Sequence, residues 1–214
     1  MKKVTLIAMI LVYVSTYGQK TKLGISSGIS IANYTSKVDG RNESGNSLAG
    51  YTGGIFADVS LGKHISLQPA LNFVQKGSKY KYTVLGYSTK SQITVNLFEV
   101  PINLLYNSRG KTVNVFAGLG PSIAFGVGGK AKSSDPGGTY SEKVKFGTSD
   151  DATMRRVDAG INILAGITLK GGFMFAVNYN GGVTNLFPHG EDDGTLRSRY
   201  FGIRLGYMLP ATSK

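Results

Sequence analysis

The sequence predicts an all-β protein: an eight-stranded antiparallel transmembrane β-barrel, up-and-down and of outer-membrane type, following a cleaved signal peptide. Three observations predict it. Apolar residues alternate with a period of two in eight segments, the opposite face is mostly Gly, Ser and Asn, and the connections alternate between short and long. The segment RYFGIRLGYML (199–209) shows the pattern, with Phe201, Ile203, Leu205, Tyr207 and Leu209 on one face and Gly202, Arg204, Gly206 and Met208 on the other. In a membrane barrel the large set meets lipid and the small or polar set faces the lumen.

The N-terminus comes first in chain order. Lys2 and Lys3 precede the apolar run Val4–Val14, which gives way to Ser15-Thr16-Tyr17-Gly18. This is the layout of a secretory signal peptide, with cleavage expected before Gln19; the run is short for an uncleaved anchor. Two regions follow: a signal peptide over 1–18 and a barrel domain over 19–214. The chain has no cysteine, which excludes lipoprotein processing and disulfide staples.

The eight strands follow in order. LGISSGISI (23–31) sets Leu23, Ile25, Ile29 and Ile31 against Gly and Ser. YTGGIFADVSL (51–61) sets Ile55, Ala57, Val59 and Leu61 against Thr52, Phe56, Asp58 and Ser60. ISLQPALNF (65–73) sets Ile65, Leu67, Leu71 and Phe73 against Ser66, Gln68 and Asn72. In ITVNLFEVPINLLY (93–106) the apolar set begins odd, at Ile93, Val95 and Leu97, and turns even from Phe98 to Tyr106. A β-bulge near Leu97–Phe98 is expected from that change of phase. VNVFAGLGPSIAFGV (113–127), RRVDAGINILAGITL (155–169), FMFAVNYNGGV (173–183) and the segment quoted above complete the set.

Connections after the second, fourth and sixth strands are tight, and those after the first, third, fifth and seventh are long and polar. Outer-membrane barrels share this asymmetry, which predicts the cell outer membrane as location, with turns periplasmic and loops extracellular. A soluble lipocalin-like barrel would need charges along every outer face. Here the face opposite the apolar one is Gly, Ser and Asn, which suits the narrow lumen of eight strands.

Five charged residues fall on lumen parity: Glu99, Arg204, Asp158, Arg156 and Asp58. Desolvated charges require partners, so an internal salt-bridge network centred on Glu99 and Arg204 is expected, with Asp158 as third member. Such a network plugs and stiffens the barrel; a proton path or gated pore is the functional alternative. Outward Phe73, Phe98, Tyr106, Phe125, Phe173, Tyr179, Phe201 and Tyr207 are expected to face lipid and form interfacial girdles. Pro69, Pro101 and Pro121 lie inside strands and suggest bulges or strained registers.

Without residues 1–18 the chain keeps 22 basic and 12 acidic residues, net +10. The lysines are scattered and no basic helix appears, so nucleic acid is not expected as a partner. The chain holds two histidines. His64 falls in a turn. His189 lies near Glu191, Asp192, Asp193 and Ser198, where a polar loop is favoured over a Ser/His/acid or cation site. No catalytic residue, cofactor or metal site is predicted.

FEVPINLLYN (98–107) resembles the PorT family, the outer membrane protein beta-barrel domain proteins of Bacteroidetes-type bacteria, small OmpA/OmpX-like barrels. FAGLGPSIAFG (116–126), DAGINILAGI (158–167), YNGGVTNLF (179–187) and FGIRLGYML (201–209) resemble further strands of that family in the same order. The resemblance implies an outer-membrane barrel, with one founding member tied to type IX protein secretion. The tail Pro210–Lys214 departs from the aromatic or apolar ending by which such barrels are often recognised for insertion.

A small barrel with a plugged polar lumen and a structural or surface-interaction role is the favoured function. An accessory component of type IX (Por) secretion is the alternative, and a lipid-modifying outer-membrane enzyme ranks third. Expected partners are outer-membrane lipids, the barrel-assembly machinery during insertion, and envelope or secretion-system proteins.

Overall fold

The computed structural model describes residues 21–38, 40–84, 87–190 and 194–209. The expected signal peptide, Glu191–Asp193 and the tail after Leu209 lie outside them. The described chain forms β1 (Thr21–Val38), β2 (Arg41–Ser44), β3 (Asn46–Ser60), β4 (Ile65–Val84), β5 (Tyr87–Asn107), β6 (Val113–Asp135), β7 (Gly138–Lys143), β8 (Val157–Leu169), β9 (Phe173–Gly182) and β10 (Thr195–Met208). Eight of these close an antiparallel ring in the order β1-β3-β4-β5-β6-β8-β9-β10, with β10 paired back to β1 from Gly24↔Met208 to Lys37↔Thr195. The two short strands lie at the loop end, β2 on β1 and β7 on β6.

The outer wall carries the apolar halves of the alternating segments. Leu205 is 68% and Phe173 64% exposed, and Ile25, Ile55, Leu119, Ile163 and Phe175 continue the same surface. A belt of this extent is untenable in water and matches lipid. β4, β5 and β6 have 20, 21 and 23 residues, well beyond the 9–11 that cross a hydrocarbon core at a tilt. The expected long loop after the third strand is therefore mostly sheet, paired up to Val84↔Tyr87.

The bulge expected at Leu97–Phe98 lies elsewhere. Asn96 pairs with Gly128 while Leu97 pairs with Gly126, so the extra residue is Val127 of β6. β5 keeps one parity throughout, and Val95 and Leu97 point inward with Glu99. They are apolar because they pack with Tyr34, Ala124, Val144, Met154 and Leu186 inside the barrel, not against lipid. The prolines shift nothing at Pro69 or Pro101: Pro69↔Ile102 and Asn72↔Glu99 share one register, as do Pro101↔Ser122 and Leu104↔Leu119.

The tight turns are held locally. Gly172, between β8 and β9, has φ +89°, and a Cβ there would stand 2.5 Å from the Met208 carbonyl oxygen. Arg109, between β5 and β6, sits at φ 53°. Its backbone N–H donates to Asn114 Oδ1 at 2.7 Å, and its guanidinium donates to Ser60 Oγ and the Gly62 carbonyl.

Candidate functional site: the barrel lumen

β5 crosses every layer of the lumen. From loop end to turn end its inward residues include Val95, Leu97, Glu99, Pro101, Asn103, Leu105 and Asn107, all buried. Val95 and Leu97 belong to the apolar cluster at the loop end, packed against Ile93, Phe146 and Leu196. Leu105 belongs to a second apolar cluster with Phe56, Phe116, Leu164, Met174 and Ala176. The polar groups between them are thereby shut off from water on both sides.

The upper polar layer holds four charges. Lys76 and Glu99 are each 1% exposed, Asp158 4% and Arg204 8%. Lys76 Nζ lies 2.9 Å from Asp158 Oδ2, donates to Ser198 Oγ at 3.1 Å, and stands 3.8 Å from Glu99 Oε2. Ser198 donates to Asp158 Oδ2 at 2.5 Å. The Tyr200 hydroxyl donates to Glu99 Oε1 at 2.7 Å and accepts from Arg204 Nη2 at 3.2 Å. The ammonium of Lys76 also lies 5.0 Å from the Tyr200 ring centre, a cation–π distance. Two cations thus face two carboxylates, and the layer is neutral.

The network differs from the expected one. Its hub is Lys76, and Arg204 reaches Glu99 through Tyr200. Lys76 stands in a run of polar residues after Phe73, where the large apolar alternation ends. Continuing the inward parity of Gln68 and Asn72 through Val74 would have marked it. Arg156 is not a member: it precedes β8, is exposed, and places its guanidinium 5.8 Å from the Phe146 ring. Asp58 lies at the turn end, beyond the lower apolar cluster. There Ser66 Oγ donates to Asp58 at 3.2 Å, Asn107 Nδ2 to Ser66 Oγ, and Asn114 Nδ2 to Asn107 Oδ1. An open cavity of about 590 Å³ at this end is lined by Asp58, Asn107, Arg109, Lys111 and Lys170 among others.

Between the charges and the lower apolar cluster runs an amide chain. Asn178 Nδ2 donates to Asn162 Oδ1 at 3.0 Å, and Asn162 Nδ2 to Asn103 Oδ1 at 2.9 Å; Asn180 donates to Ser122 Oγ at 2.6 Å. Such a chain satisfies groups that burial would otherwise penalise.

On the outer wall the aromatics form two bands. Phe73, Phe98 and Phe125 lie in one row toward the loop end, with Tyr51 stacked on Phe73, and Tyr179 and Phe201 are paired on β9 and β10. At the turn end Tyr106 stacks with His64, and Phe173 meets Tyr207 edge-on. His64 Nδ1 is 2.9 Å from the Asn107 carbonyl oxygen. His189 contacts exposed Asp150 at 3.0 Å, while Ser198 points into the charge layer, so those two do not form one site. Among the described residues no three His, Cys, Asp or Glu side chains gather as a metal site.

The model of the outer membrane protein beta-barrel domain family matches residues 17–188. Among solved structures, the attachment invasion locus protein Ail of Yersinia pestis aligns at 17% identity and TM-score 0.44, over 89% of this chain and 99% of that one. OprG of Pseudomonas aeruginosa aligns at 11% and 0.48, over 90% and 98%. Neisserial surface protein A aligns at 12% and 0.41, over 86% and 96%. No curated protein matches the chain.

Proposed function

Because the chain belongs to the outer membrane protein β-barrel domain family, we propose that it is a closed barrel of the outer membrane with a structural or surface-interaction role. One observation carries this reading. The inward side chains of β5 stack two apolar clusters around a neutral charge layer, leaving the lumen packed across its section. The long β4–β5 and β6–β7 hairpins extend the wall outward and offer the surface for contact, with the loop end outside the cell and the tight turns in the periplasm. Planar bilayer recording tests the reading: inserted protein should give no discrete conductance steps, and a steady ohmic pore would overturn it.

The PorT-like affiliation is the finer reading, supported by FEVPINLLYN and the segments that follow it. An accessory role in type IX secretion goes with that affiliation. It is tested by export of type IX cargo in a deletion strain: loss restored by complementation supports the role, and unchanged export removes it.

A further inference from the structure

Beyond the lipid belt, β4, β5, β6 and β7 continue as a four-stranded panel. Directly paired residues share a face of a sheet, and the register stacks three outward rows. Gly77, Thr94, Lys130 and Lys143 form the first; Lys79, Gln92, Lys132 and Ser141 the second; Lys81, Lys90, Ser134 and Thr139 the third. Half of these positions are lysine and none is acidic. All six lysines are exposed. Glu142, paired with Ala131, and Asp135, paired with Gly138, lie on the other face.

The Val127 bulge creates this face, because without the extra residue Lys130 and Lys132 would turn inward. Lys81 is paired with Lys90 and Lys130 with Lys143, arrangements that repel and that sheets ordinarily avoid. Among the described residues none of the six side chains makes an ion pair or hydrogen bond. An anion other than the described side chains is the missing complement.

Position on the wall says which anion. The panel is the upward continuation of the row Phe73–Phe98–Phe125, which belongs to the lipid-facing belt. Thr94 lies four residues and Lys90 eight residues above Phe98. At about 3.3 Å per residue and a tilt of about 40°, the lysine rows stand roughly 10 to 20 Å above that aromatic row. The face therefore looks sideways at headgroups, not outward at the medium. Compact ammonium groups suit phosphates, and the interleaved Thr94, Gln92, Ser134 and Ser141 suit sugar hydroxyls. We propose that this panel binds the phosphorylated sugar headgroups of an anionic glycolipid in the outer leaflet. The assignment rests on the loop end facing outward, as the closed-barrel reading has it.

The test uses the full mature chain in phosphatidylcholine nanodiscs with or without diphosphorylated lipid A. Glycolipid retained per barrel is measured by native mass spectrometry after re-extraction. Changing all six panel lysines to Gln should reduce retention by more than about 10-fold. Lys63→Gln/Lys111→Gln/Lys170→Gln at the turn end should leave it unchanged. Equal retention by parent and panel variant overturns the proposal. So does binding of soluble dextran sulfate, in lipid A-free discs, that matches lipid A in affinity and vanishes in the panel variant, since the face then serves a soluble polyanion. Heat-shifted gel mobility verifies that each variant is folded. Conductance is recorded on the same samples: retention with an open pore breaks the closed-barrel reading alone, and lost specificity with a silent bilayer breaks the headgroup assignment alone.

Discussion

Replacing Lys76 with Met tests the charge layer at its hub. At an effective dielectric constant of about 20, a unit charge 2.9 Å from Asp158 and 3.8 Å from Glu99 gains about 6 and about 4 kcal/mol of gross attraction. Desolvation of the ammonium offsets much of this, and the substitution removes that penalty together with the attraction. What remains is two buried carboxylates facing Arg204 alone. Loss of one partner of a buried pair costs about 3–5 kcal/mol, and Met matches the length of the lysine stem, so the cavity contribution is small. Lys76→Met should therefore destabilise the barrel by about 3–5 kcal/mol. Adding Asp158→Asn restores the charge balance, and the double variant should cost less than the sum of the singles by about 1–3 kcal/mol. The assay is urea unfolding of the lipid-reconstituted barrel, followed by far-UV circular dichroism and gel mobility, since the chain has no tryptophan to report. A single-variant cost below about 1 kcal/mol, or additivity within about 0.5 kcal/mol, would refute the layer as a coupled, water-excluded unit.

Tyr200→Phe strips Glu99 Oε1 of a donor and Arg204 Nη2 of an acceptor, and should cost about 1–3 kcal/mol in the same titration; a loss under about 0.5 kcal/mol would mean Glu99 and Arg204 are not joined through the hydroxyl. Gly120→Ala should prevent folding, read as loss of the heat-shifted band, because its Cβ would stand 1.8 Å from the Ile102 carbonyl oxygen. Gly128→Ala, with nothing within 4 Å, should fold like the parent. In the β7–β8 loop, hydrogen bonds from Ser149 and then Lys145 hold the Asp151 carboxyl below the ordinary Asp range. Its folded pKa is depressed, so these contacts contribute above the unfolded Asp pKa and are lost as pH falls through the folded one. Ser149→Ala should move the Asp151 carbon-13 titration toward the ordinary Asp range, and an unmoved curve would remove Ser149 as the cause.

The ring of eight strands was legible because lipid contact imposes a period of two on each of its segments. The lumen was harder to read, for a physical reason. An apolar residue announces that it avoids water, not which dry compartment it enters. Val95 and Leu97 were thus assigned to lipid although they close the loop end of the lumen, and their apparent change of phase invented a bulge in β5. The true bulge carries its own signal, Val127 between Gly126 and Gly128. Lys76 was missed because alternation of large side chains stops at Phe73 while the strand itself continues for eleven residues. Arg156 departs from the parity of β8 because it precedes that strand: its carbonyl still accepts from the Gly126 N–H, but its guanidinium lies against the Phe146 ring and not in the charge layer.

The layered lumen also explains why the charges come as a balanced set. Lipid surrounds the wall, and the clusters around Leu97 and Leu105 seal both ends, so the four ionised groups have low dielectric on every side. An unbalanced charge there costs several kcal/mol, whereas two cations and two carboxylates linked through Ser198 and Tyr200 offset one another. Lys76 bridges β4 to β8, Tyr200 bridges β10 to β5, and the amide chain links β5, β8 and β9. These strands are not all neighbours in the ring, so the contacts act as struts across the barrel. An open channel would require hydrating the whole layer and breaking those struts together. The same arrangement that makes single substitutions costly therefore makes conduction costly, which ties the predicted instability of Lys76→Met to an outcome beyond unfolding. Where that variant still inserts, its lumen should admit water and conduct, while Lys76→Met/Asp158→Asn should remain silent. Silent bilayers from both would show that the apolar clusters, not the charges, do the sealing.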